Sequence, residues 1–376
     1  MFSEIFLPFV KYQIKVLRLL KCVPFDTNSN DKIIITETQM SRKFRQFIQL
    51  LQWAYVSLMC TVVYSLKERG CHVKAVEAAM ITVSTLTLLL FSYAWDPNVK
   101  SVTLFNALVK FDKNYGGLSH QELDRITTHA LKSTLFLLST VPESATICVI
   151  GRLILDPCSP PFLGSAVLPC DGCGGTDKGR MQWYTWGGLI TIDTYHTLTA
   201  MHNGFFYFFY ILLITICCIL QYVRRLGKRG MPDGFKIYRR LQVLEVLMND
   251  YGRSRLLPST LGVAPMVEVL GLFTIIKFHE DIPFPGILIF PIGFLTALTG
   301  LIVLETMSGA LVTRSKEAVL TWAKTLAGSS PLRRRQFDSL QLLKVKFGNN
   351  FLDRVTALIT QDFCINQTVS LLIMFK

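Results

Sequence analysis

The sequence predicts an all-α, polytopic membrane protein with seven transmembrane helices, its N-terminus cytoplasmic and its C-terminus extracellular. Three observations carry this. Hydrophobic residues make up 51% of the 376 residues and the mean hydropathy is positive. The apolar residues gather into blocks of about 20 or more, the length that crosses a hydrocarbon core of ~30 Å. Lysine and arginine are segregated to one set of connecting segments.

The segments 1–45, 96–132, 221–258 and 312–351 hold 30 Lys and Arg, whereas 67–74, 156–182, 279–284 and Lys376 hold 6. A bias of this size sets orientation by the positive-inside rule. It places the basic segments in the cytoplasm and gives a multi-pass protein, expected in the plasma membrane. The net charge of +13 is therefore a loop property. No nucleic-acid partner is expected, and the solvating partner is the lipid bilayer.

The elements follow in order. Residues 1–45 form a cytoplasmic N-terminal segment whose spread of Glu4, Lys11, Lys15 and Arg18 among apolar residues predicts an amphipathic helix on the inner membrane surface or on the protein. It lacks the order of a signal peptide. A six-helix bundle occupies 46–311, with spans at 46–66, 75–95, 133–155, 183–220, 261–278 and 285–311. Pro142-Glu143 is expected to break the third span. The fourth is longer than a membrane needs. Ser119 and Glu122 have the spacing of a capping box. Residues 156–182 form a Pro/Gly/Cys-rich extracellular loop, and 221–258 a basic cytoplasmic one. Residues 312–376 comprise a cytoplasmic anchor helix and a seventh span, 352–375, with an amphipathic segment at 340–347 between them.

Cys71, Cys158, Cys170 and Cys173 all fall on outer segments. Four cysteines in an oxidising compartment can form two disulfides in three connectivities. Cys170-Asp-Gly-Cys173 is half of a zinc or redox motif without its second half, so no metal is expected. No phosphate loop, dinucleotide fingerprint, HExxH or GxSxG is present. The chain is not expected to be an enzyme, and no cofactor is implied. Channel, transporter and receptor remain.

The seventh span is polar for its class. Asp362, Asn366 and Ser370 are four apart and share a face, with Gln367 beside it. Polar groups at membrane depth either glue helices together or face water or an ion path. Glu268 and Glu305, also in spans, require partners, for which Arg152 and Lys277 are candidates.

The pattern as a whole resembles the arthropod chemoreceptor superfamily of gustatory and odorant receptors. The stretch Ser339-Leu-Gln-Leu-Leu-Lys-Val-Lys-Phe-Gly348, followed by Phe351-Leu-Asp-Arg-Val-Thr356, is similar to the lead-in to the last helix of gustatory-type receptors. The family's Thr-Tyr pair in that helix reads Thr360-Gln361 here, followed by Asp362 and by Gln367, the pattern of a divergent member. The resemblance implies a ligand-gated cation channel, a homo- or hetero-tetramer around the seventh helix, with a small-molecule ligand in the outer half of each bundle. The pocket candidates are Glu77, Glu143, Tyr195, His196 and His202. The run Phe205–Tyr210 is expected to contact lipid and pack, with lining a pocket as the alternative. The pore candidates are Asp362, Asn366, Gln367 and Ser370, a repeated carboxylate favouring cations, with Ile373 as a dewetting gate. The alternatives are a secondary transporter using Asp362 and Glu143, or a seven-helix receptor without a pore. For the latter, the missing Asp-Arg-Tyr and Asn-Pro-x-x-Tyr motifs and the reversed charge bias count against a G-protein-coupled type.

Topology is testable directly. Reporters fused to each end should show a Met1 end protected in intact cells and an exposed Lys376 end; an exposed Met1 end would overturn the charge argument.

Overall fold

A computed structural model describes residues 2–28, 31–36, 39–93, 99–115, 125–168, 170, 173, 183–226, 231–325 and 331–375. The Ser119–Glu122 capping box lies outside these. Seven described helical runs are long and apolar enough to cross a membrane: Gln39–Glu68, His72–Ser92, Lys132–Leu155, Trp183–Leu226, Leu256–Lys277, Gly286–Lys324 and Thr356–Met374. Each overlaps one predicted span; the first, fourth and sixth continue past an expected end, and the seventh begins four residues later than expected and ends one residue earlier.

In chain order, a π-helical turn leads into α1 (Leu7–Leu19), and a small hairpin follows, β1 (Phe25–Thr27) with β2 (Ile33–Ile35). Then come α2 (Gln39–Glu68), α3 (His72–Ser92), α4 (Val99–Tyr115), α5 (Arg125–Leu155) and the short α6 (Leu163–Val167). The fourth span is α7 (Trp183–Phe205), a π-helical segment (Phe206–Leu213) and α8 (Ile214–Leu226) without interruption. After α9 (Met231–Gly252), α10 (Leu256–Lys277), α11 (Ile289–Thr325) and α12 (Pro331–Asp338), a second hairpin, β3 (Lys346–Phe347) with β4 (Asn350–Phe351), leads to α13 (Thr356–Met374).

The fourth span is the axle of the bundle. All eight residues of its π segment are buried, as is nearly all of α8. The largest core cluster forms around them. The run Phe205–Tyr210 is therefore interior packing, and the expected lipid contact does not occur, because α1, α3, α4 and α11 enclose the segment.

The N-terminal helix is amphipathic as predicted, and its apolar face lies on the protein. Val10, Ile14 and Leu17 are buried at helical spacing. Gln13, also buried, bonds the Tyr210 hydroxyl (3.4 Å) and His202 Nδ1 (3.0 Å). Ahead of it, the Phe2 and Ser3 backbone amides donate to Asp112 on α4, which also accepts from Tyr222. Burial opposes the Asp112 charge, but the bonds from Ser3 and Tyr222 outweigh it and hold the carboxyl below its ordinary value.

Pro142 does not break the third span. α5 runs through it unbroken. The hydroxyls of Ser139, Thr140, Ser144 and Thr146 around it donate to carbonyls about one turn back on the same helix.

In the amphipathic segment 340–347, Leu340–Val345 is not helical, and Leu343 and Val345 are buried while Leu342, Lys344 and Lys346 are not, the two-residue alternation of a strand. It is held along α9: the Tyr238 hydroxyl and Gln242 donate to the Gln341 carbonyl (2.9 and 3.0 Å). One helical stretch on, Asn249 donates to the Lys344 carbonyl and accepts from the Lys346 amide (2.9 and 2.8 Å). Gly348, at φ +53°, makes the hairpin turn. Gly309 on α11 allows the lead-in to α13 to lie against it, since a Cβ there would stand 2.7 Å from the Asp353 carbonyl oxygen and the Arg354 Cα.

The four outer cysteines pair as Cys71–Cys173 and Cys158–Cys170, with Cα separations of 5.5 and 5.9 Å, within the ordinary range for disulfides. The two cysteines of the CxxC thus serve different bridges, and one bridge ties the α2–α3 turn to the loop after α6. Beside them Arg152 on α5 forms a buried ion pair with Glu77 on α3 and donates to Ser159, while Lys74 lies 3.6 Å from Glu77. Removing one partner of a buried pair leaves a charge uncompensated. Arg152→Leu should therefore cost about 3 kcal/mol, read as a lowered midpoint of thermal unfolding in detergent. The Glu77→Leu, Arg152→Leu double variant should recover much of it.

A candidate ligand cavity and the outward face of the last helix

Between α2, α3, α5, α7, α10 and α11 lies a partly open cavity of about 120 Å³. Phe162, from the disulfide-bonded connection, lines one end, and Phe208 and Phe209 of the π segment line the other. Most of the lining is aliphatic or aromatic, including Met59, Met80, Val149, Ala264 and Ile292. Among the described residues, no Asp, Glu, Lys or Arg lines it.

The polar corner is built by α2 and α7. Asp193, buried on α7, accepts from the Tyr55 hydroxyl and from the Leu163 amide (3.3 Å). One turn on, the His196 ring stacks on Tyr55, with centroids 3.9 Å apart and planes at 23°. Tyr55 and His196 both line the cavity. The apolar pocket with a few convergent polar groups is the usual form of a small-molecule site.

Of the five sequence-predicted pocket residues, His196 lines this cavity. The structure places the others apart from its lining. Glu77 is committed to Arg152 and Lys74. The Tyr195 hydroxyl donates to the Leu20 carbonyl after α1 (3.1 Å). His202 faces Gln13, and its Nε2 lies 3.7 Å from Glu143, which Tyr12 also reaches at 3.5 Å. These residues dock the N-terminal helix. Helical spacing on α7 separates them: His196 and His202 are six positions apart and so face different neighbours. Sequence reasoning missed Asp193 and Tyr55. The available signal was Asp193 itself, an ionisable residue inside a span.

α13 packs on α10 and α11 through one side only. Cys364 and Thr368 are buried there. Asp362, Asn366, Gln367 and Ser370 are all exposed on the other side, together with Phe363 (52%), Ile365 (57%) and Ile373 (62%). The Ser370 hydroxyl donates to the Asn366 carbonyl (2.8 Å). All four pore candidates are thus brought onto the face that the chain's own bundle does not cover.

On the packed side sit the two span carboxylates. Glu305 on α11 is fully buried and accepts from the Thr360 hydroxyl (2.7 Å); Glu268 on α10, 3% exposed, accepts from Gln361 (3.3 Å). Arg152 and Lys277 are not their partners. Arg152 is bound to Glu77, and Lys277 is exposed at the end of α10. The residues at the place of the family's Thr-Tyr pair therefore tie α13 to both neighbouring helices.

No family model and no curated protein matches the chain. Solved structures do. It superposes on the insect olfactory receptor OR5 from Machilis hrabei with a TM-score of 0.58 and 12% identity, over 97% of each chain. For the same receptor in complex with eugenol the TM-score is 0.53 at 13% identity, over 98% of each chain. The chain has the insect olfactory receptor fold. The likeness spans nearly the whole of both chains. Both superposed structures are of a receptor.

Thr360 offers a test of the tie between α13 and α11. Thr360→Val removes the donor to a fully buried carboxylate, which should cost about 1–3 kcal/mol. Thr360→Ser, which keeps the hydroxyl, should cost much less, both measured by thermal unfolding of the purified protein.

Proposed function

We propose that the chain is a divergent chemosensory receptor of the arthropod gustatory and odorant superfamily, acting as a ligand-gated cation channel in the plasma membrane. The observation that carries the reading is the outward face of α13. A spanning helix with a small part of its surface buried against its own chain presents Asp362, Asn366, Gln367 and Ser370 away from that chain. Polar groups in hydrocarbon are costly. Glue within the bundle cannot account for them, since the bundle contacts the opposite side. A second copy or an aqueous path meets the requirement, and a ring of subunits around α13 supplies both.

In this reading four chains, identical or mixed, surround a pore lined by those residues, with Ile373 as an apolar constriction. The N-terminus and the α9–hairpin clamp lie in the cytoplasm. Ligand enters the cavity bounded by Tyr55 and His196. The eugenol complex of the structural neighbour supports a small-molecule ligand. Occupation of the cavity, whose walls include α10 and α11, would bias α13 through the Thr360–Glu305 and Gln361–Glu268 bonds, a differential contact of the kind gating requires.

A fourfold repeated carboxylate creates a local negative field that favours cations. Asp362→Ala should therefore keep surface expression and lower cation over anion preference, read as a shifted reversal potential under asymmetric salt. Unchanged reversal potentials would reject Asp362 as a pore residue. Slow saturable flux in place of unitary currents would move the reading to a transporter.

A further inference from the structure

The bundle takes only one side of the N-terminal helix. Val10, Gln13, Ile14 and Leu17 of α1 are buried. The opposite stripe reads Tyr12, Lys15 and Leu19, which share a helix face, and all three are exposed, Leu19 at 81%. This stripe lies alongside membrane-spanning helices. The Tyr12 hydroxyl reaches Glu143 near the middle of the third span, and the Leu20 carbonyl accepts from the Tyr195 hydroxyl of the fourth. The start of α2 carries a matching stripe: Met40, Lys43 and Phe44 are exposed, Met40 at 84%. Lys21 joins the two helices, its ammonium 5.6 Å from the centre of the Phe44 ring. Lysines interleaved with large exposed apolar side chains suit a bilayer interface. The apolar groups enter the acyl boundary, and the ammonium reaches phosphate along its flexible stem.

The charge balance leaves these lysines available. Asp26 is taken by Arg18 (2.6 Å), and Asp31 by Lys11 (2.6 Å) and Lys113 (3.3 Å). Among the described residues no carboxylate pairs with Lys15, Lys21 or Lys43. The backbone at Lys21 adds a second observation. Lys21 ends α1 at φ +55°, a left-handed position that glycine fills at lower cost. Its amide and that of Cys22 close the helix on the Arg18 and Leu17 carbonyls (3.1 and 3.0 Å). The turn requires the conformation and makes no use of the side chain. A residue held against its backbone preference points to a role for that side chain.

We propose that this face binds anionic phospholipid of the inner leaflet. Lys15, Lys21 and Lys43 hold headgroup phosphate, and Leu19, Met40 and Phe44 enter the acyl chains. A lipid fits better than a free phosphate, because the cations stand among exposed apolar side chains. The choice of leaflet rests on the orientation given by the charge bias; binding of the lipid does not.

The test is equilibrium binding to the purified full chain in neutral detergent, using dioctanoyl phosphatidylserine and dioctanoyl phosphatidylcholine as a matched pair, with inorganic phosphate as competitor. The quantity read is the serine-to-choline lipid affinity ratio. It should fall about fivefold for each lysine removed, the change expected for one basic residue at an anionic lipid surface. Lys21→Gly should lower the ratio and leave the thermal unfolding midpoint unchanged or raised, which a purely structural role would not do. Lys15→Arg and Lys43→Arg, which keep the charge, should retain most of it. Lys316→Ala, removing an exposed cation on α11, should leave it unchanged. A ratio unaltered by Lys15→Ala, Lys21→Gly and Lys43→Ala combined, or lowered as far by Lys316→Ala, overturns the site. Equal affinity for the two lipids overturns the ligand class. Displacement of the serine lipid by inorganic phosphate at matched concentration overturns the lipid as partner. An exposed Met1 end in the reporter experiment, with the ratio intact, overturns the leaflet while the site stands.

Discussion

A polar group at hydrocarbon depth must find a partner, and most of this molecule is arranged to meet that demand. Backbone groups meet it by forming helices. Serine and threonine hydroxyls meet it by folding back on carbonyls a turn behind, as Thr82, Thr215 and Ser308 do. Charges meet it in pairs: Glu77 takes Arg152, and Asp193 takes Tyr55 and the Leu163 amide. Where no cation is at hand, Glu305 and Glu268 draw Thr360 and Gln361 from the last helix. Among the described residues several buried side-chain atoms keep no hydrogen-bond partner, Trp53 Nε1, Thr194 Oγ1, His196 Nε2 and Glu305 Oε2 among them, and Asp362 and Asn366 on α13 are exposed away from the chain's own bundle.

The last helix is therefore held by few contacts, and they are specific. Its lead-in is fixed by the clamp of Leu340–Val345 along α9 and by the close approach at Gly309. Its middle is fixed by two carboxylates from two different helices. The same α10 and α11 that carry those carboxylates also wall the cavity through Thr260, Ala264, Ile292 and Ala297. A short path of packed elements thus joins the cavity to the polar face of α13, without any need for a long relay.

The N-terminal helix has a structural part to play. Gln13 reaches His202 and Tyr210, and Asp112 gathers the Phe2 and Ser3 amides with Tyr222. Residues that looked like ligand contacts because they are polar and lie in spans, Tyr195, His202 and Glu143 among them, are spent on holding this helix in place.

The seven spans were legible in the sequence because burial in lipid demands long apolar runs, and that demand is local. That Cys71, Cys158, Cys170 and Cys173 fall on connections between spans was legible for the same reason. The polar face of α13 followed from a spacing of four. Pairing was not legible. Which carboxylate meets Arg152, which cysteines join, and which of six histidine-bearing positions looks into a cavity depend on how helices far apart in sequence are rotated against one another. One reading failed: α5 runs unbroken through Pro142. The path of Leu340–Val345 was also set from outside, by the side chains of α9 that bond its carbonyls. The sequence by itself determined which segments leave water and which residues cannot do so unpaired. The tertiary structure alone decided their partners, because an unpaired group fixes the need for a contact and only packing fixes who makes it.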